Sequence, residues 1–275
     1  MSKLNLVIIV IILFIYLNYV DINKYRTYNQ NQEFFKVVDA MENIDLTIDN
    51  IPPELQPYIY GINIPKFKKD PEMILDQFVK RNKYLQQRHE DLFIFDILDF
   101  TGAYFPSAHT DIEWNKVKND GFQVWTLINN DDYVGNMFIF FNQYLYDKYY
   151  GTGIFLRMYK NKVAVLKNCL QINLLKYIAV EHILELIPID EFIRTTKKYY
   201  LDFKSGDTIM FAKNVIHMSD YRNLNSTRTA FNFRVAFKEE NCESGNGDGK
   251  KELNISDSDC GYLNDKRLFK LKHLF

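Results

Sequence analysis

Three residues of this 275-residue chain have the types and spacing of a small set of metal ligands. His109 and Asp111 stand two positions apart, and side chains at i and i+2 of a β-strand point to the same side. His217 ends a second predicted strand, which follows the turn signal Gly206-Asp207. A single histidine at a strand end is most often a hydrogen-bonded structural residue, so it is the combination that indicates a site.

Two histidines and one carboxylate on one face of a metal ion are typical of non-haem Fe(II) oxygenases. The carboxylate brings the ferrous site closer to neutral charge, and the three remaining positions admit a bidentate co-substrate and dioxygen. Arg228 stands eleven residues after His217 and opens a further strand of alternating residues that runs to Phe237. Together, the H-x-D pair, the distal histidine and the arginine predict an iron centre.

Over roughly residues 105–237, the chain resembles Fe(II)/2-oxoglutarate-dependent dioxygenases of the phytanoyl-CoA dioxygenase type. The resembling parts are the H-x-D stretch, the strand after it, a strand with the family's Asn-Gly pair in reversed order, and the distal histidine with its loop. These segments are His109–Asp111, Phe122–Ile128, Gly135–Ile139 and His217–Arg228. The resemblance implies Fe(II), 2-oxoglutarate as co-substrate and O2, with His109, Asp111 and His217 as catalytic iron ligands.

The reaction that the resemblance implies is an oxidative decarboxylation. 2-Oxoglutarate is converted to succinate and CO2, and a hydrogen atom is abstracted from a substrate C–H bond. Asp111 indicates hydroxylation rather than halogenation, because halogenases of this type lack the carboxylate and bind halide in its place.

The resemblance also implies which residues bind the co-substrate. Arg228 would pair with the distal carboxylate of 2-oxoglutarate through a bidentate contact that lysine cannot reproduce. Ser219 would add a hydrogen bond to the same carboxylate, and Trp125 would line the pocket. Arg234 is the alternative anchor, because related dioxygenases place this arginine at a longer offset.

The substrate is not carried over by the resemblance. Where the family has a Pro-Gly-Ser-His stretch that shapes the substrate side, this chain has Phe140-Phe141-Asn142-Gln143. Three functions stay open: a hydroxylase of a small molecule, lipid or glycan, a protein hydroxylase in a secretory lumen, or a degenerate family member that binds without catalysis.

Composition limits the alternatives. A formal net charge of −1 gives no electrostatic case for nucleic acid, and 47% apolar residues are enough for a sizeable core. Aromatic residues at 16% favour sheet. The three cysteines have no metal-binding spacing, and Cys242 and Cys260 could form a disulfide or remain free thiols.

The elements predict a mainly β protein with flanking helices, a double-stranded β-helix of the jelly-roll, cupin-like type, with helices on one outer face. Asp70-Pro71 predicts a helix start that leads to a helix ending near His89. The apolar spacing over Ile172–Leu186 predicts another helix, with His182 on its buried face. Most of the remaining chain from Leu92 to Phe237 predicts short strands.

The sequence indicates four parts of the chain. Residues 1–20 include the unbroken apolar run Leu6–Leu17, which indicates a single-pass membrane anchor, with a cleaved signal peptide or a buried helix as alternatives. Residues 21–50 are polar and predict a tether with the first edge elements. Residues 51–240 form the predicted dioxygenase domain, and residues 241–275 a flexible tail rich in Gly, Ser, Asp and Asn near its start.

Overall fold

A computed structural model describes residues 31–65, 68–101, 107–111, 120–129, 137–170, 179–222 and 229–238. The predicted anchor or signal at 1–20, Arg228, the Cys242–Cys260 pair and the tail at 241–275 lie outside these residues. No helix within the described ranges is long and apolar enough to cross a membrane.

The strands of the described residues build two sheets. They are β1 (Asn43–Leu46), β2 (Ile59–Asn63), β3 (Leu92–Thr101), β4 (Ala108–His109), β5 (Gly121–Asn129), β6 (Met137–Phe141), β7 (Ile154–Tyr159), β8 (Lys162–Leu170), β9 (Ala179–Pro188), β10 (Lys197–Leu201), β11 (Asp207–Ala212), β12 (Ile216–Ser219) and β13 (Thr229–Phe237). One sheet has the order β1-β10-β6-β12-β4-β7-β8-β9, and the other β2-β11-β5-β13-β3. The two sheets face each other. The contact between the ring of Phe211 on β11 and the ring of His217 on β12 shows this arrangement. The predicted double-stranded β-helix is confirmed.

Helices cover the outer faces of both sheets, whereas the sequence predicted helices on one face only. They are α1 (31–40), α2 (Pro71–Arg81), α3 (Lys83–Gln87), α4 (Gln143–Lys148) and α5 (Ile189–Thr195). Phe78 of α2 packs on Tyr60 of the five-stranded sheet. Phe34 of α1 packs on Phe140 of the eight-stranded sheet. Helix α1 lies in the stretch that was predicted as a tether, so it is not among the helices predicted from the sequence.

The predicted helix start at Asp70 is confirmed. The Asp70 carboxylate accepts a hydrogen bond from the backbone N–H of Met73 at 3.1 Å, and Pro71 occupies the first helical position. The helix does not continue to His89. It stops at Asn82, whose side chain caps α3 by accepting from the backbone N–H of Leu85.

Two predictions need correction. In the region predicted as a helix over Ile172–Leu186, residues 172–178 lie outside the described residues and the rest belongs to strand β9, where His182 is exposed rather than in a core. Strand β9 pairs with β8 over its length, with a register shift at Val165/Leu166 that breaks the two-residue alternation. Within residues 21–50, predicted as a tether with the first edge elements, α1 is a helix that buries apolar side chains instead of a tether, whereas β1 pairs with β10 as an edge strand.

Candidate metal centre

Strand pairing places the two predicted histidine ligands opposite each other. Strands β4 and β12 are antiparallel, with His109 directly paired to His217. Directly paired residues lie on the same face of a sheet, and here the ring centroids are 4.4 Å apart. Both imidazoles therefore point between the two sheets.

Asp111 completes the cluster from the chain that leaves β4. Its Oδ1 lies 3.4 Å from Nε2 of His109 and 3.8 Å from Nε2 of His217. The three ligand atoms lie within 4.8 Å of one another, which is close enough for one metal ion to bind all three. The side chains are almost fully inaccessible, with exposed fractions between 6% and 12%. The three ligands predicted from the sequence are thus brought together.

Backbone carbonyls orient both imidazoles. Nδ1 of His109 lies 2.7 Å from the carbonyl oxygen of Ser107, and Nδ1 of His217 lies 3.1 Å from that of Val215. A carbonyl oxygen only accepts, so each Nδ1 carries the proton and donates. Each Nε2 then presents a lone pair to the cluster, which is the state that metal binding requires.

Burial sets the charge of the three ligands. It lowers the pKa of His109 to about 4 and that of His217 to about 4, where the neighbouring His109 ring adds to the effect. Burial raises the pKa of Asp111 to about 6, against the influence of His217. At neutral pH the cluster consists of two neutral imidazoles and a carboxylate.

Arg234 contacts the carboxylate of this cluster. Its Nε donates to Oδ2 of Asp111 at 3.0 Å, and its Nη2 lies 2.9 Å from the same oxygen. Its Nη1 donates to Asp96 on β3. Burial lowers the pKa of Arg234 to about 10, so the guanidinium remains charged at neutral pH.

Two of the three other residues predicted to bind the co-substrate lie within the described residues. Ser219 is buried at the end of β12, two residues after His217 and thus on the same side of that strand. Trp125 is buried on β5, paired with Asn232 of β13. Arg228 lies outside the described residues.

Sequence reasoning missed three polar residues on the inner face of the five-stranded sheet. Asp96 and Gln123 both pair with Arg234, one on each side of it, and Asn232 pairs with Trp125. Within the described part of the chain, Nε2 of Gln123 and Oδ1 of Asn232 are buried without a hydrogen-bond partner. The signal that could have found them is the placing of polar residues at alternate positions of otherwise apolar strands.

This interior fits ferrous iron and a polar co-substrate. Two neutral imidazoles and one carboxylate suit Fe(II) and leave open coordination positions. Buried amide groups without a partner cost free energy unless a ligand satisfies them, and these amides lie on the face that carries Trp125 and Arg234.

Comparison with known proteins gives only distant structural similarity. No protein-family model matches the chain, and no curated protein matches its sequence. Among solved structures, the chain is similar to the iron and alpha-ketoglutarate-dependent endoperoxidase NvfI in a different conformation. The TM-score is 0.38 at 10% identity, over 70% of this chain and 82% of that one. For a tryptophan-to-phenylalanine variant of NvfI, the TM-score is 0.38 at 10% identity, over 70% of this chain and 80% of that one. For another NvfI structure, the TM-score is 0.36 at 10% identity, over 67% of this chain and 80% of that one.

Proposed function

We propose that the chain is an Fe(II)- and 2-oxoglutarate-dependent oxygenase, related in its site segments to the phytanoyl-CoA dioxygenase type. The observation that carries this proposal is the convergence of His109, Asp111 and His217 between the two sheets, with their ligand atoms within 4.8 Å of one another. Fe(II), 2-oxoglutarate and O2 would together supply the oxidising power for attack on a C–H bond.

The residues around the ligands support this chemistry by excluding water and setting orientation. The ring of Phe155 stacks at 5.9 Å on His109, and the ring of Phe211 meets His217 edge-on at 5.1 Å. Apolar contacts on the imidazoles keep them neutral and available as ligands. We propose hydroxylation as the reaction, because the carboxylate position is occupied by Asp111.

For the co-substrate, we propose that Arg228 binds the distal carboxylate of 2-oxoglutarate, that Ser219 adds a hydrogen bond and that Trp125 lines the pocket. Two observations support this arrangement. Ser219 lies on the His217 side of β12, and Trp125 lies on the inner face of the sheet that also carries Arg234.

The substrate we propose is a small molecule, lipid or glycan, and we propose that residues 1–20 anchor the enzyme at a membrane. The apolar run Leu6–Leu17 supports the anchor. The protein should stay in the pellet during alkaline carbonate extraction. A shortened chain in the soluble fraction would instead indicate a cleaved signal peptide.

Anaerobic titration with Fe(II) and 2-oxoglutarate tests the proposed function. The wild-type protein should develop the weak visible absorbance of a ferrous 2-oxoglutarate complex and, in air, release succinate. His217→Ala should abolish the absorbance, because one of three ligands is lost. His182→Ala is the matched control, since this exposed histidine is remote from the cluster. Equal absorbance in His217→Ala and wild type would refute the ligand assignment, and binding without succinate release would indicate a non-catalytic binder.

A further inference from the structure

We infer that Arg234 is a positioning residue that holds Asp111 as a monodentate metal ligand. This inference rests on the proposed function, because it concerns the same metal site. It gives Arg234 a role different from that of a co-substrate anchor.

The two oxygens of Asp111 have separate partners. Oδ2 accepts a hydrogen bond from Nε of Arg234 at 3.0 Å and lies 2.9 Å from its Nη2. Oδ1 is the oxygen that lies 3.4 and 3.8 Å from Nε2 of His109 and His217. A metal bound by both imidazoles is therefore reached by Oδ1. Chelation by both oxygens would require Oδ2 to give up two charge-assisted contacts in a buried place.

Strand β3 holds the guanidinium in this orientation. Nη1 of Arg234 donates to Asp96, so all three nitrogens of the guanidinium contact a carboxylate. The pairing of β3 with β13 shifts register between Arg234 and Val235, where β3 contains one more residue than β13. Bulges of this kind change the direction of a side chain and are common beside active sites.

Asp96 also balances charge. A lone guanidinium beside a metal ligand would repel a divalent cation and weaken its binding. Two carboxyl groups, those of Asp96 and Asp111, surround one guanidinium, so the formal charge of the three groups together is −1 and still favours a cation. Asp96 thus allows Arg234 to orient the ligand without opposing the metal.

The functional consequence concerns the number of open positions. If Fe(II) bound the two imidazoles and Oδ1 of Asp111, it would keep coordination positions open for the co-substrate and dioxygen. Binding of Oδ2 as well would take one of these positions. By holding Oδ2, Arg234 would keep that position open.

The test separates metal affinity from co-substrate affinity. Dissociation constants of Co(II) are measured by calorimetry without co-substrate for wild type, Arg234→Met, Arg234→Lys and Asp96→Asn. The visible bands of bound Co(II) report its coordination. Arg234→Met should weaken Co(II) binding by about 10- to 100-fold, the usual effect of losing a partner of a metal ligand, and should alter the bands. Arg234→Lys should restore part of the affinity, and Asp96→Asn should lose roughly 3- to 10-fold by releasing the guanidinium.

Arg222→Met is the matched control. Arg222 also forms a two-nitrogen contact with a buried aspartate, Asp220, but it lies over the rings of Phe138 and Tyr200 on the outer face. Its loss should leave Co(II) affinity within about twofold. The inference is overturned if Arg234→Met and Asp96→Asn bind Co(II) as wild type does while 2-oxoglutarate affinity falls, because Arg234 would then be the anchor. Asp96→Asn supplies the answer if Arg234→Met does not fold. Failure of the wild-type protein to bind Co(II) or Fe(II) would refute the proposed function itself.

Discussion

At the scale of single residues, the strand backbone prepares both histidines for metal binding. In each case Nδ1 donates to the carbonyl oxygen of the residue two positions earlier. The acceptor is a backbone atom, so the identity of Ser107 or Val215 does not matter for the tautomer. The same local geometry at both histidines turns each Nε2 towards the cluster with Asp111.

The residue that anchors 2-oxoglutarate gives the first prediction at this scale. Arg228→Lys should weaken 2-oxoglutarate binding by about 30- to 1000-fold, because loss of a buried bidentate carboxylate contact costs roughly 2–4 kcal/mol. Arg234→Lys, measured at saturating metal, should stay within about tenfold of wild type. Calorimetry on the metal-loaded protein under anaerobic conditions measures both. The assignment of Arg228 is wrong if the two variants show the opposite order.

Gln123 gives a second prediction, which separates stability from function. Its buried Nε2 has no hydrogen-bond partner within the described residues, and such a group costs about 1–3 kcal/mol. Gln123→Met should therefore raise the free energy of unfolding without ligand by about 1 kcal/mol, and should lower 2-oxoglutarate affinity. Urea unfolding and calorimetry measure the two effects.

Gln143→Met is the control, because the Nε2 of Gln143 donates to Tyr58 and Asp147. That substitution should reduce stability instead. A stability loss in Gln123→Met would mean that the amide is satisfied without a ligand.

The contact between Asp96 and Arg234 could not be predicted from the sequence. This contact depends on the register between β3 and β13, including the shift at Arg234/Val235. Strands β3 and β13 are far apart in the chain, so packing determines their register, and the spacing of nearby residues does not predict it. Alternation along β13 indicates which of its side chains share a face with Arg234, but it does not indicate which carboxylates contact the guanidinium.

At the scale of elements, Asn142 joins α4 to α5. Its Oδ1 accepts from the backbone N–H of Leu145 at the start of α4, and its Nδ2 donates to the hydroxyls of Thr195 and Thr196. Asn142→Ala should lower the free energy of unfolding by about 2–3 kcal/mol, from a lost cap and lost buried hydrogen bonds.

Asn142→Ser keeps an oxygen that can cap the helix, so it should lose roughly half as much. Urea denaturation of both variants measures the difference. A loss below about 0.5 kcal/mol in Asn142→Ala would show that neither contact contributes to stability.

The error at β9 has a physical cause at the element scale. Ala179 and Leu186 are spaced as on a helix face, and the 3.6-residue period is a local signal. The register shift opposite Val165/Leu166 inserts a residue into the alternation of β9, so a strand acquires a spacing that resembles a helix. Pairing with β8, which is not visible in local spacing, decides the structure.

At the scale of the whole molecule, the site joins the two sheets. His109 and His217 belong to the eight-stranded sheet, whereas Arg234 and Asp96 belong to the five-stranded one. The chain of contacts from Asp96 through Arg234 to Asp111 crosses between them. The class of fold was predictable from many short strands and turn signals, but the extension by β7, β8 and β9 was not, because it depends on which edge those strands join.

Because the ligands come from β4, the chain after it and β12, a bound metal should stabilise the whole domain. A ligand that binds only the folded state at 100 times its dissociation constant contributes about 2.7 kcal/mol. For a chain of this size, that should raise Tm by roughly 5–10 °C. Thermal unfolding with Mn(II) under anaerobic conditions measures the shift. Asp111→Ala should lose it, and His182→Ala should keep it. An equal shift in Asp111→Ala would mean that Mn(II) stabilises the protein elsewhere, and that the cluster between the sheets is not the metal site.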